Sequence, residues 1–175
     1  AMVDRADNAL SNYETAFEKV RLARDSKQKL VGQILAPLGE NLLSDLNDIL
    51  DSAERDGDMV AAYHSSMALK QFLLVRLYVM YFLESNDKKY ITRVEEEFEK
   101  MKTPIDTLKT ELQNVQRRQW LADVDQEKDE YMKGFRRLVT VIVERDDVVQ
   151  NTLDKLGPEM AQLVEDMKLY VKEEQ

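Results

Sequence analysis

The chain repeats itself. Tyr13-Glu14-Thr15-Ala16-Phe17, followed by Leu38-Gly39, returns as Tyr131-Met132-Lys133-Gly134-Phe135, followed by Leu156-Gly157, with the same internal spacing and no gap. Apolar partners recur at the same offset: Val20 with Leu138, Leu30 with Val148, Val31 with Val149, Leu35 with Leu153, Leu42 with Met160, Ile49 with Met167. An internal repeat makes two stretches structurally equivalent, so any fold must place them in matching environments. Here both copies lie in long runs of helical periodicity.

Composition narrows the class. Only 5 Gly and 3 Pro occur in 175 residues, and 34% of the chain is charged, which suits long amphipathic helices rather than a sheet. The net charge of -9 argues against nucleic acid and anionic membrane surfaces as main partners. Absence of Cys removes disulfides, thiolate metal sites and cysteine nucleophiles. The most apolar run, Phe72 to Leu83, is too short to span a bilayer and contains Arg76.

Apolar residues at helical spacing predict a first long helix over about 3–55, with a kink where Pro37 removes a backbone donor. Asp56-Gly57-Asp58 ends it: Gly57 suits a left-handed turn and Asp58 an N-cap. A helical hairpin follows over 58–115, turning at Ser85-Asn86-Asp87, with Asp87 as cap and an interruption or restart at Thr103-Pro104. A second long helix covers about 119–173, kinked at Gly157-Pro158. The fold expected is all-α, an antiparallel four-helix bundle.

Short turns make successive helices antiparallel neighbours. With these turn positions, Phe17 comes level with Gly157, and Phe135 with Gly39. The hairpin covers only one half of the long pair, giving an upper module of about 29–145 and an incomplete lower module of about 1–28 plus 146–175. Symmetry asks for a second hairpin preceding Val3. The lower apolar stripe, including Tyr13, Phe17, Val149 and Leu153, is then expected to find a partner, most simply another copy of the chain.

Gly57-Asp58, the run Leu73 to Leu83, Tyr131 with Phe135, Arg145-Asp146 and Leu153-Asp154-Lys155-Leu156-Gly157-Pro158 together give a pattern covering nearly the whole chain. It resembles the helical bimodular sensor domain of bacterial methyl-accepting chemotaxis receptors and sensor histidine kinases. The resemblance implies a periplasmic domain of an inner-membrane protein, anchored by transmembrane helices outside this sequence and binding small metabolites such as carboxylates.

Arg76 is the only charge between Phe72 and Leu83. A cation in so apolar a helix needs a counter-charge, either a protein carboxylate or an anionic ligand, unless it snorkels to the surface. Its planar fork suits carboxylates. Gln71, Tyr78 and Tyr131 are candidate neutral donors to the same anion. Arg145, with Arg24 and Lys27, forms a second candidate cation cluster. The single His64 cannot supply the paired Glu-x-x-His motifs of a di-iron bundle, and no nucleophile turn accompanies it. Asp123, Asp125, Glu127 and Asp129 alternate like a calcium loop but lack its Gly and closing Glu, so they read as a solvated helix face. Neither catalysis nor a metal or cofactor is expected. The expectation is a homodimeric chemoreceptor sensor domain for a small anionic metabolite. A histidine-kinase sensor or a cytoplasmic helical interaction module is the alternative.

Overall fold

The computed structural model describes residues 2–173; Ala1 and the last two residues lie outside it. The chain runs through α1 (Met2–Lys29), a π-helical segment (Leu30–Leu35), α2 (Ala36–Asp56), α3 (Met59–Ser85), α4 (Lys89–Glu111), α5 (Val115–Val148), a second π-helical segment (Val149–Leu153) and α6 (Asp154–Glu173). No strand occurs among the described residues. The fold is an all-α helical bundle.

The turns use the capping chemistry that the sequence carries. Gly57 adopts φ 71°, and the Asp58 carboxylate accepts from the Ala61 amide at 3.1 Å, satisfying one of the orphan donors of α3. Asn86 takes the left-handed position at φ 55° and closes α3 onto the Phe82 carbonyl at 2.8 Å. Asp87 accepts from the Lys89 amide at 2.9 Å. The last turn departs from expectation. Asn114 caps α5 by accepting from the Arg117 amide at 3.0 Å, so this helix starts at Val115, one turn earlier than about 119. Nor does Thr103-Pro104 interrupt α4, which runs through with Pro104 buried.

Leu30–Arg137 forms one compact unit. Leu42, Leu46 and Ile49 of α2 meet Phe72, Val75 and Phe82 of α3, Met101, Ile105 and Leu108 of α4, and Val124, Met132 and Phe135 of α5, all essentially excluded from solvent. Each such side chain stabilises the fold by about 1.5–3 kcal/mol. α2 and α5 are antiparallel: Ser52 pairs with Arg117, Asn41 with Glu127, and the Gly39 face with Tyr131. The register therefore differs by one turn from that expected. Gly39 faces Tyr131, and Phe135 packs edge-on to Phe82 with ring centroids 6.0 Å apart.

The flanking segments, up to Lys29 and from Leu138 on, form the other unit. It holds two antiparallel helical segments in contact, with Ala9, Ala16, Leu138, Ile142 and Leu163 buried. Phe17 does not meet Gly157: it is 57% exposed, and nothing lies within 4 Å of where a Gly157 Cβ would stand. Two helical segments without a second layer leave an aromatic stripe uncovered, and the small, buried Ala9 and Ala16 make the close face instead. Tyr13, Val149 and Leu153 are half-buried.

The two π segments fall at matching places in the repeat. The first ends just before Pro37, which then sits in the opening turn of α2, where its missing N–H is not needed. Across from it, a Cβ at Gly134 would stand 3.1 Å from both Ile34 Cγ2 and Leu35 Cδ2, whereas Gly32 has open space. Gly134→Ala is therefore expected to lose about 1 kcal/mol, overpacking exceeding the gain in helix propensity. Gly32→Ala should gain roughly 0.5–1 kcal/mol. Urea melts of the two variants check the order, and a more stable Gly134→Ala would contradict this packing.

Candidate functional site

Gly39 leaves a bare patch on α2, and two side chains lie against it. Arg76 Nε stands 3.3 Å, and its Cζ 3.5 Å, from the place of the missing Cβ; Tyr131 Cε2 from α5 is also at 3.5 Å. The Tyr131 ring, only 3% exposed, packs edge-on to Phe72, one turn before Arg76 on α3, at 5.2 Å. Burial pushes the Tyr131 phenol up to about 12, with the Arg76 charge opposing this, so the hydroxyl remains a neutral donor at neutral pH. Arg76 is half-buried. Among the described residues, its guanidinium has neither an ion pair nor a hydrogen bond, and the Tyr131 hydroxyl has no hydrogen bond. Three helices thus converge on an uncompensated cation and a free phenol. That arrangement can bind an anion through a charge-assisted pair and one neutral donor.

The other expected donors lie elsewhere. Tyr78 is two residues from Arg76, about 200° around the helix, and faces α4. Its hydroxyl accepts from Arg93 Nη2 at 3.0 Å, and the Arg93 guanidinium stacks 4.8 Å above its ring. Gln71 sits about 140° around from Arg76. It is buried, with Oε1 lacking a partner. Arg145 belongs to the flanking unit and pairs with Asp146 at 2.5 Å. It lines an open groove of about 690 Å³ with Leu22, Ala23, Val141, Val143 and Glu144. The arginine of that groove already has a carboxylate.

Sequence reasoning missed three charged arrangements. Arg117, 3% exposed, binds the Ser52 hydroxyl and carbonyl, Asp58 and Asp56. Asn114 as a cap was the available signal for where α5 begins, and hence for Arg117 facing inward. Glu97, 2% exposed, is neutralised by Arg93 at 3.2 Å and Lys100 at 2.9 Å, the i,i+3/i,i+4 spacing being readable. Asp45 on α2 meets Glu127 and Asp123 of α5, with Asp48 nearby.

Partial burial, then repulsion from Glu127, Asp123 and Asp48, pushes Asp45 up to about 6. A raised aspartate pKa means the folded state holds its proton more tightly. This advantage is complete below the unfolded value of about 4 and is lost as pH rises towards about 6. Asp45→Asn should therefore raise Tm modestly at pH 7 and little at pH 4, solvent screening keeping the effect small. Paired thermal melts at the two pH values check this, and an equal gain at both would exclude Asp45 titration as its source.

No protein-family model, curated protein or solved structure matches this chain.

Proposed function

We propose that the chain is the ligand-binding sensor domain of a membrane-anchored chemoreceptor, recognising a small anionic metabolite of the organic-acid class. The observation that carries this reading is the half-buried Arg76, without a counter-charge among the described residues, beside the hydroxyl of buried Tyr131, which has no hydrogen bond among them. A cation removed from bulk water favours an anion at its side, and a planar guanidinium selects a carboxylate by two parallel hydrogen bonds. The ligand would bridge α3, through Arg76, to α5, through Tyr131. Differential binding would bias the position of α5, which continues through the second π segment into α6, and so pass a small helix shift towards a membrane anchor. A sensor histidine kinase would use the same site with another output.

Titration calorimetry of the folded chain against mono-, di- and tricarboxylic acids tests the reading. Binding of at least one acid, weakened tenfold or more in Arg76→Gln, is expected. No binding across the panel, or binding indifferent to Arg76→Gln, would overturn it.

A further inference from the structure

Helices α2 and α5 share one seam, and the anion site is only its lower end. At the upper end the Ser52 hydroxyl and carbonyl accept from Arg117. At the lower end the face of Gly39 meets Tyr131, with Arg76 of α3 against it. Between them Asn41 Nδ2 donates to Glu127 Oε1 at 3.1 Å, and Asp45 stands in the field of Glu127, Asp123 and Asp48. The carboxylate cluster and the anion site are thus consecutive steps of one seam. Glu127 is one turn from Tyr131 on α5, and Asp45 is about 9 Å from Gly39 along the axis of α2.

Among the described residues, no cation pairs with Asp45, Asp48, Asp123 or Glu127. Arg117 is committed to Ser52, Asp56 and Asp58, and Arg55 to the Asp51 carbonyl. Lys109 and Lys128 both hold Asp125, and Lys128 also holds Asp129. The hydrogen bonds that reach the cluster come from neutral amides, Asn41 to Glu127 and Gln119 to Asp123. Glu127 Oε2 is enclosed and has no donor among the described residues. No charge of α3 or α4 acts on Asp45, whose field comes from Glu127 and Asp123 of α5 and from Asp48 on its own helix. A cluster of like charges without a cation is relieved by taking up a proton.

We infer that the cluster of Asp45, Asp48, Asp123 and Glu127 is a proton-operated regulator of the anion site at Arg76 and Tyr131. It rests on the anion-binding reading of that site. Fully ionised, the cluster repels an arriving anion, and one proton removes one of its negative charges. A unit charge about 10 Å away, in a protein's effective dielectric and screened by salt, changes affinity about threefold. Burial and the neighbouring carboxylates push Asp45 up to about 6. The protonated form, present below that value, binds the anion more tightly, and the advantage is lost as pH rises through about 6. By linkage, a bound anion draws a proton onto the cluster. A sensor built this way responds jointly to an organic acid and to the acidity that accompanies it.

Nuclear magnetic resonance of the ligand-free chain, labelled in its side chains, reads the coupling directly. The Asp45 carboxyl should titrate with a midpoint of about 6, and the Tyr131 ring and Arg76 guanidinium signals should follow with the same midpoint. In Asp45→Asn both signals should stay still. Lactate, which remains ionised throughout, should bind about threefold more tightly at pH 5.5 than at pH 7.5. Asp45→Asn should bind it at both pH values as the parent chain does at pH 5.5. His64 is the one side chain that ordinarily titrates in this range, and it lies about 18 Å from Arg76 along α3. His64→Gln should therefore leave the pH dependence intact. Tyr131 and Arg76 signals that ignore the Asp45 titration overturn the regulator. So does lactate binding that is equal at the two pH values, or a dependence that survives Asp45→Asn or vanishes in His64→Gln. Signals that follow Asp45 in a chain that binds no carboxylate uphold the coupling and overturn the sensor reading, so the two failures are distinguishable.

Discussion

Replacing Arg117 by Ala should lower the stability of the chain by about 3 kcal/mol, the upper end for losing hydrogen bonds to charged groups, since several go at once while the carboxylates left behind stay partly solvated. The side chain is almost fully enclosed, at 3% exposure. Its Nε donates to the Ser52 hydroxyl at 3.0 Å, Nη1 to Asp58 at 2.8 Å, and Nη2 to the Ser52 carbonyl at 3.1 Å and to Asp56. The guanidinium therefore ties the start of α5 to the end of α2 and to the cap of α3. Asp58 serves two purposes at once, one oxygen on Arg117 and the other on the Ala61 amide. Truncation leaves a cavity and two neighbouring carboxylates without their cation. Arg117→Lys should recover less than half, because an ammonium cannot fork between a hydroxyl, a carbonyl and two carboxylates. Urea denaturation reads the loss as a shifted midpoint at constant slope. A loss below about 1 kcal/mol would mean the network is as weak as exposed ion pairs are.

The error in register had one cause. The helical pattern showed that a second long helix exists, but it did not mark the first residue. Asn114 caps it at Val115 rather than near 119, and that single turn moves the level partner of Gly39 from Phe135 to Tyr131. At about 1.5 Å per residue, a shift of four residues displaces a neighbour by about 6 Å, enough to exchange one side chain for another. Caps at Gly57, Asp58 and Asp87 were legible because each is a local event in which a few adjacent residues decide the backbone. The π segments were not, since an added residue in a turn leaves the apolar spacing helical on both sides. Arg76 stood out as one charge in an apolar run. The rotation of Tyr78 away from it was also readable, two residues being more than half a turn apart. Asn114 marks where the helix of Arg117 begins, but the clamp's partners Ser52, Asp56 and Asp58 are brought to it only by the fold.

Phe135→Ala is the other large effect expected, about 3–5 kcal/mol. Phe135 is one of the largest side chains with no exposure, set edge-on to Phe82 and flanked on its own helix by the buried Tyr131, Met132 and Leu138. Its removal forfeits the transfer of an aromatic ring from water and leaves a void that neighbouring helices cannot close. Gly134 beside it already sits at the limit of approach to Ile34 and Leu35, so α5 has no room to settle further there. Phe135→Leu keeps most of the volume and should lose only about 1 kcal/mol. The contrast with Phe17, its counterpart in the repeat, makes the test specific. Phe17 is 57% exposed, and Phe17→Ala should change stability by less than about 0.5 kcal/mol. Equal losses at the two positions would mean that both aromatics are buried alike, and that the flanking unit packs its stripe as fully as the central bundle does.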